Sequence, residues 1–157
     1  MDFQIVRTLH PPEGIIQQIA HLNARLGYPS TPADTRRRLE ALPREDRLLL
    51  ALGADALFGY AHIRVVRDLL SEESAEVVAI AVDPAFRRQG VGRRLVTAAE
   101  IWARESGRSR LILRTNVIVK EAHAFFVALG YEKVETSLVF MRDLESERKA
   151  EAPTQPL

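Results

Sequence analysis

A loop rich in arginine and glycine follows an apolar run near the middle of this 157-residue chain. The run Val77–Val82 ends at Asp83-Pro84, and the loop Arg87-Arg88-Gln89-Gly90-Val91-Gly92 then opens into a helical pattern. The first backbone N–H groups of a helix have no partner within it, so they and the helix dipole attract anions. Gly90 and Gly92 lack side chains, which lets a phosphate approach the backbone closely. The pattern predicts a phosphate-binding loop between a buried strand and a helix.

Two common phosphate loops are excluded by the residues around Gly92. A P-loop ends in Gly-Lys-Ser/Thr, whereas Arg93-Arg94 follow Gly92 here. A dinucleotide-binding loop has a third glycine, and that place is taken by Leu95. What remains is the pattern Arg-x-x-Gly-x-Gly directly after an apolar strand.

The composition excludes several other classes of protein. The chain has no cysteine, which rules out disulfides, thiolate metal sites and cysteine nucleophiles. Its four histidines show no metal-ligand spacing, and a net charge of +1 does not favour a nucleic-acid-binding protein. We find no signal peptide and no segment of membrane-spanning length. These features predict a cytoplasmic protein with neither a metal site nor a nucleic-acid or membrane partner.

Hydrophobic periodicity predicts the elements that place the loop. The order β-α-α-β-β-β-α-β-α-β combines an antiparallel meander with a βαβ crossover, which indicates an α/β (α+β) fold with a mixed central sheet flanked by helices. We expect one domain over residues 1–144 and a polar tail over 145–157. Strands are predicted at Phe3–Arg7, Arg47–Leu52, Leu57–Val66, Val77–Val82, Arg110–Thr115 and Tyr131–Met141. Helices are predicted from Pro12 to Gly27, from a Thr31 cap to Pro43, from the loop to Glu105, and from Lys120 to Leu129.

The segment AVDPAFRRQGVGRRLV resembles the acetyl-CoA signature of the GNAT superfamily of N-acetyltransferases. The later segment LILRTN…KEAHAFFVALGYEKVETSLVF is similar to the second half of its small-molecule members, including the aminoalkylphosphonate acetyltransferase-like ones. The predicted order of elements also matches that of this family. The resemblance implies the GNAT fold and the transfer of an acetyl group from acetyl-CoA to a primary amine.

The resemblance also implies where the cofactor binds. In the family, the loop amides bind the pyrophosphate of CoA and the preceding strand lies along the pantetheine arm. A backbone N–H near Ile80 or Ala81, where the family's strand bulges, would stabilise the oxyanion. The implied cofactor-binding residues are Ile80, Ala81, Val82, Arg87, Arg88, Gln89, Gly90, Val91, Gly92, Arg93, Asn116 and Phe126.

Acetyl transfer requires a base for the amine, a donor for the carbonyl oxygen and a proton for the departing thiolate. Glu76, at the start of the central strand, resembles the glutamate that acts as base in several GNAT enzymes. Phe126 stands where the family commonly has a proton-donating tyrosine, so either the thiolate leaves unassisted or another group serves, with Tyr131, His123 and Tyr28 as the candidates. Nothing covalent is needed, and we expect direct attack in a ternary complex.

Two residues are candidates for the acceptor pocket. Tyr28 follows the first helix, and His62 lies between apolar residues of the Leu57–Val66 strand, where a buried histidine with a structural hydrogen bond is the alternative. The predicted function is N-acetylation of a small-molecule amine. Acetylation of a protein N-terminus or lysine, and a catalytically weak acyl-CoA-binding regulatory module, are the alternatives. The acceptor is not encoded in the motifs, and a homodimer is left open because many relatives form dimers.

Overall fold

The computed structural model describes residues 2–115 and 120–145. The chain divides into two compact units, Met1–Asn116 and Val117–Leu157. The first unit contains a five-stranded sheet in the order β1-β2-β3-β4-β5, antiparallel except for the parallel pair β4–β5. This mixed sheet with flanking helices confirms the predicted fold class. Its strands are β1 (Gln4–Thr8), β2 (Arg47–Leu52), β3 (Leu57–Val66), β4 (Ser74–Val82) and β5 (Leu111–Leu113).

Three helices belong to the first unit, and their apolar faces form two core clusters with the sheet. They are α1 (Glu13–Arg25), α2 (Pro32–Glu40) and α3 (Val91–Glu105). Leu95 of α3 belongs to a cluster with Ile63 of β3, whereas Leu22 of α1 belongs to another with Leu48 of β2. The alternation of side chains along a strand separates these two sets onto different faces.

Local signals in the sequence fix the ends of these helices. Thr31 Oγ1 accepts from the Asp34 N–H at 3.0 Å, and Asp34 Oδ2 accepts from the Thr31 N–H at 3.2 Å. This capping box confirms the predicted start of α2. Gly27, just after α1, adopts a φ of 93°, a left-handed conformation that glycine tolerates at a helix end.

The second unit departs from the sequence prediction. Its helix α4 (Lys120–Ala128) is present, but the strand predicted over Tyr131–Met141 is wrong. A strand needs a neighbour for its backbone N–H and C=O groups, and this segment pairs with none among the described residues. Its apolar residues are exposed, Phe140 by 89% and Val139 by 93%. Most of the tail predicted over 145–157 lies outside the described residues, and the single domain stays a prediction.

Among the described residues, no helix has the length and apolar character needed to cross a membrane.

A glycine allows β3 and β4 to approach closely just before the arginine-glycine loop. A Cβ atom at Gly59 would lie 2.6 Å from the Ala81 carbonyl oxygen and 3.2 Å from Val82 Cα. Both contacts are with backbone, which cannot swing aside as a side chain can. The end of β4 can pack this closely against β3 because Gly59 has no side chain.

We predict that Gly59→Ala lowers the free energy of unfolding by about 1–3 kcal/mol, because β4 must shift to relieve the contact. The matched control is Gly14→Ala in α1, where a Cβ meets no heavy atom within 4 Å. That change should be neutral or stabilise the helix by less than about 1 kcal/mol. Urea denaturation of both variants measures the difference, and equal stability would contradict the close approach.

Candidate active site

The arginine-glycine loop forms a cluster of unpaired backbone donors at the start of α3. Arg88 and Gly90 both adopt a left-handed backbone, with φ values of 63° and 80°. The N–H groups of residues 88–93 have no hydrogen-bond partner within the described part of the chain. The side chains of Arg87, Arg88 and Arg93 are exposed. Unpaired amides, a helix N-terminus and three cations together suit a polyanion such as a pyrophosphate.

The loop is anchored to the sheet and to α1 by Asp83. Its carboxylate caps the short turn Pro84–Phe86 by accepting from the Ala85 N–H at 2.9 Å. Both oxygens also accept from the Arg25 guanidinium, each at 3.0 Å. Burial acts to raise the pKa of Asp83, but the hydrogen bonds from Arg25 and Ala85 outweigh it and lower the pKa below its ordinary value.

An aromatic stack completes this anchor. The ring of Phe86, the last residue of the turn, lies parallel to that of Phe58 on β3, with 3.8 Å between the ring centroids. Arg94 of α3 donates to the Phe3 carbonyl at 2.8 Å and lies over the Phe3 ring, so it fixes α3 to the sheet. The loop is therefore held between two rigid elements.

One edge of β4 becomes free just before the loop. β5 pairs only with Ala75–Val77, and a bulge at Val78 interrupts the register of β4 against β3. On the side away from β3, residues 78–82 have no ladder partner among the described residues. The bulge lies two residues before Ile80, whereas the resemblance implied one near Ile80 or Ala81. This free edge, with Ile80, Ala81 and Val82, leads directly to the loop.

Glu76 is buried at the start of β4 and holds two arginines. It is 2% exposed. Its Oε2 accepts from Arg64 Nε and Nη2 at 3.0 and 2.9 Å, and its Oε1 accepts from Arg114 Nε. The two arginine side chains are about half exposed, at 48% and 56%. Glu76 thus sits between two guanidinium groups whose outer edges reach the surface.

His62 lies on β3 with a buried carboxylate beside it. Its Nε2 is 2.7 Å from Oδ2 of Asp46, a residue that is 4% exposed and lies directly before β2. The histidine side chain itself is 18% exposed. This contact is the structural hydrogen bond that the sequence analysis gave as the alternative for His62, and its place in the acceptor pocket stays a prediction.

Tyr28 lies close enough to influence Tyr60, two residues before His62 on β3. The Tyr60 hydroxyl donates to Asn23 Oδ1 of α1 at 2.6 Å. Burial raises the pKa of Tyr60, the hydrogen bond with Asn23 opposes this, and Tyr28 adds to the rise. Both predicted acceptor-pocket residues are thus near the same stretch of β3, and Tyr28 is 71% exposed there.

Residues 16–131 match the sequence model of the acetyltransferase (GNAT) family, which is well over half of the chain. The chain belongs to the GNAT family of acetyltransferases. Over 106 residues it is 31% identical to aminoglycoside N(6')-acetyltransferase type 1 of Stenotrophomonas maltophilia, covering 64% of this chain and 69% of that protein. The predicted family and its enzyme class are confirmed.

Solved structures share the GNAT fold described above. Aminoglycoside N-acetyltransferase AAC(6')-Iy in complex with CoA superposes with a TM-score of 0.78 at 18% identity, over 90% of this chain and 95% of that one. A transcriptional regulator from Bacillus halodurans C-125 gives a TM-score of 0.79 at 21% identity, over 90% and 100%. At such low identity these similarities concern the fold alone.

The remaining residues expected from the GNAT resemblance fall in or near the second unit. His123 and Phe126 are half-buried on α4, and the Tyr131 N–H donates to the Phe126 carbonyl at 3.0 Å after the turn at Gly130. Asn116 lies outside the described residues. Within residues 2–115 and 120–145, no group of three histidine or acidic side chains is arranged to hold a metal.

Asp46, Arg64 and Arg114 are site residues that the sequence analysis missed. None belongs to a motif, and arginine is common throughout this chain. The one available signal is register, since Arg64 stands opposite Glu76 in the antiparallel pair β3–β4. Opposite charges facing each other across strands stabilise a sheet, but the bulge at Val78 hides the register in the sequence.

We predict that Asp83→Asn lowers the free energy of unfolding at pH 7 by about 1 kcal/mol, the usual loss for a helix-cap carboxylate. Since folding lowers the pKa of Asp83, its stabilising effect exists above the unfolded pKa, about 3.9, and is lost as pH falls through the folded value. The difference in the free energy of unfolding between the variant and wild type should therefore disappear in acid.

Denaturant melts at pH 7 and below pH 3 measure this gap. Asp55→Asn, in the exposed turn between β2 and β3, is the matched control and should change little at either pH. A deficit of the Asp83 variant that is the same at both pH values would contradict the assigned ion pair.

Proposed function

We propose that this GNAT acetyltransferase transfers the acetyl group of acetyl-CoA to a primary amine of a small molecule in the cytoplasm. The observation that carries the proposal is the cluster of unpaired amides at residues 88–93, next to the free edge of β4. A relative that is an aminoglycoside N(6')-acetyltransferase, and a structural neighbour in complex with CoA, support it.

Acetyl-CoA would bind first along the arginine-glycine loop and then along the free edge of β4, both in the first unit. The pyrophosphate would accept from the loop amides and pair with Arg87, Arg88 and Arg93. The pantetheine amides would then meet the free edge of β4 at Ile80–Val82, where alternate backbone groups point away from β3. Asn116 and Phe126 are proposed as further contacts of the arm.

The reaction itself requires only positioned groups. The amine nitrogen attacks the thioester carbonyl in the ternary complex, the new C–N bond forms, and the C–S bond breaks. A backbone N–H of Ile80 or Ala81 would donate to the developing oxyanion. The GNAT resemblance alone implies that Glu76 is the base and that Tyr131, His123 or Tyr28 protonates the thiolate. Phe126 has no proton to give.

The charges near Glu76 favour some classes of acceptor amine over others. Two guanidinium groups share one carboxylate, so this part of the sheet has an excess of positive charge. Each arginine also keeps N–H donors that Glu76 does not use. An amine that carries an anionic group suits this surface better than a polycation does, and acceptors of both kinds belong in the test.

We predict that the purified chain releases free thiol from acetyl-CoA in the presence of a primary amine and forms the N-acetyl product in equal amount. The panel contains aminoglycosides, simple diamines, amino acids, aminoalkylphosphonates and a lysine-containing peptide. Thiol release and mass spectrometry of the product measure the reaction. Turnover of the peptide alone would contradict the small-molecule proposal, and CoA binding without turnover of any amine would indicate a binding module.

A variant of the arginine-glycine loop tests whether this turnover depends on the proposed acetyl-CoA site. The double change Arg87→Glu, Arg88→Glu should weaken acetyl-CoA binding at least about tenfold, because two charge-assisted contacts are reversed. Acetyl-pantetheine lacks the pyrophosphate, so the variant and wild type should use it at similar rates. Arg104→Glu, exposed near the end of α3, is the matched control and should bind acetyl-CoA normally.

A further inference from the structure

The Asp46–His62 pair has the form of a proton acceptor. A buried carboxylate next to one imidazole nitrogen fixes the orientation of the ring and stabilises its protonated form. Here Asp46 is 4% exposed and Oδ2 lies 2.7 Å from Nε2 of His62. The pairing of β2 with β3 places Leu48 opposite His62, so Asp46 approaches the ring from just beyond the end of β2.

The other ring nitrogen of His62 is available. Among the described residues, Nδ1 makes no hydrogen bond, and the His62 side chain has no hydrogen bond or ion pair beyond those with Asp46. In the described part of the chain, one buried polar side-chain atom lacks a hydrogen-bond partner. That atom is Arg108 Nε and not Nδ1 of His62. Nδ1 is therefore not fully buried, in a side chain that is 18% exposed. When Nε2 donates to Asp46, Nδ1 carries the lone pair.

The position of His62 on the sheet is close to the proposed reaction centre. It stands opposite Ala79 in the β3–β4 register, directly after the bulge at Val78. Exposure rises along its face of β3, from 8% at Tyr60 to 48% at the Arg64 side chain. His62 thus lies between the buried Tyr60 and the half-exposed Arg64 on this face of β3, one residue from Ile80 by register.

Glu76 is placed less well for accepting a proton. Each of its oxygens already accepts from an arginine, and the side chain is 2% exposed. A proton arriving there would displace a charge-assisted hydrogen bond. Imidazole is also the side chain that exchanges protons near neutral pH.

We propose that His62 accepts the proton of the acceptor ammonium through Nδ1 and that Asp46 is its positioning residue. The inference rests on the proposed acetyl transfer. Nδ1 takes one proton from R–NH₃⁺, and the resulting imidazolium keeps its hydrogen bond to Asp46 until it passes that proton to solvent. The neutral amine attacks the thioester carbon, and the second nitrogen proton goes to the departing thiolate, giving CoA–SH. In this assignment His62 replaces Glu76 as the base, and Glu76 acts by holding Arg64 and Arg114.

The charged groups around His62 come from every strand near it. Asp46 lies on one side, where its carbonyl accepts from Arg47 Nη1 at 2.6 Å. Arg64 is two residues along β3 and shares the carboxylate of Glu76 of β4 with Arg114. Tyr60, bound to Asn23 of α1, and nearby Tyr28 complete the set. Asp46 is the one anion in direct contact with the ring among the described residues.

The test compares the pH dependence of kcat/KM for His62→Gln, Asp46→Asn and Glu76→Gln, using the fastest amine of the panel. His62→Gln should lose at least about 100-fold at pH 7, as removal of a general base does. Without the base, turnover depends on amine already neutral in solution. That fraction rises about tenfold per pH unit below the amine pKa near 10. The deficit should therefore shrink steadily between pH 6 and 9.

The other variants separate proton transfer from structure. Asp46→Asn should show the same change in pH profile with a smaller loss, whereas Glu76→Gln should keep the wild-type profile. CoA affinity and thermal stability should be retained in the His62 variant, and His10→Gln, an exposed histidine after β1, is the matched control. A pH-independent deficit in His62→Gln would overturn the proposal, as would a flattened profile in Glu76→Gln alone. A wild-type chain that acetylates no amine would overturn the proposed function as well.

Discussion

The site depends on β4 remaining paired with β3 while it loses β5 after Val77. The close approach at Gly59 keeps the end of β4 against β3, and the bulge at Val78 changes the register just where β5 stops. Within the described part of the chain, the backbone groups of residues 78–82 that point away from β3 have no strand partner. β4 leads directly into the loop, whose amides at residues 88–93 also lack a partner among the described residues.

Three carboxylates, two of them buried and one partly buried, organise the residues around this strand. Asp83 fixes the loop to α1, Glu76 fixes two arginines at the opposite end of β4, and Asp46 orients His62 between them. Each has an opposite charge or a strong donor beside it, as a buried acid requires. In the proposed function and mechanism, the cofactor binds near Asp83 and the acceptor reacts near Asp46. A change in one is expected to leave the other largely intact.

Much of the first unit could be predicted from the sequence because its signals are local. The capping box at Thr31 and the glycine after α1 set helix ends, and apolar runs gave β2 and β3 with their observed bounds. The partners of Glu76 and His62 could not be predicted, since they depend on register and on a bulge. The prediction of a strand over Tyr131–Met141 is wrong for a related reason. The segment after Tyr131 has strand-like residues, but a strand exists only with a neighbour.

Amide chemical-shift mapping with CoA tests the central claim most directly, namely that the cofactor runs from the loop to the free edge of β4. The largest shifts are predicted at residues 88–93 and 79–82, and pantetheine alone should shift only the second set. Shifts confined to α2 or to the far strand β1, with the loop amides unchanged, would contradict the account.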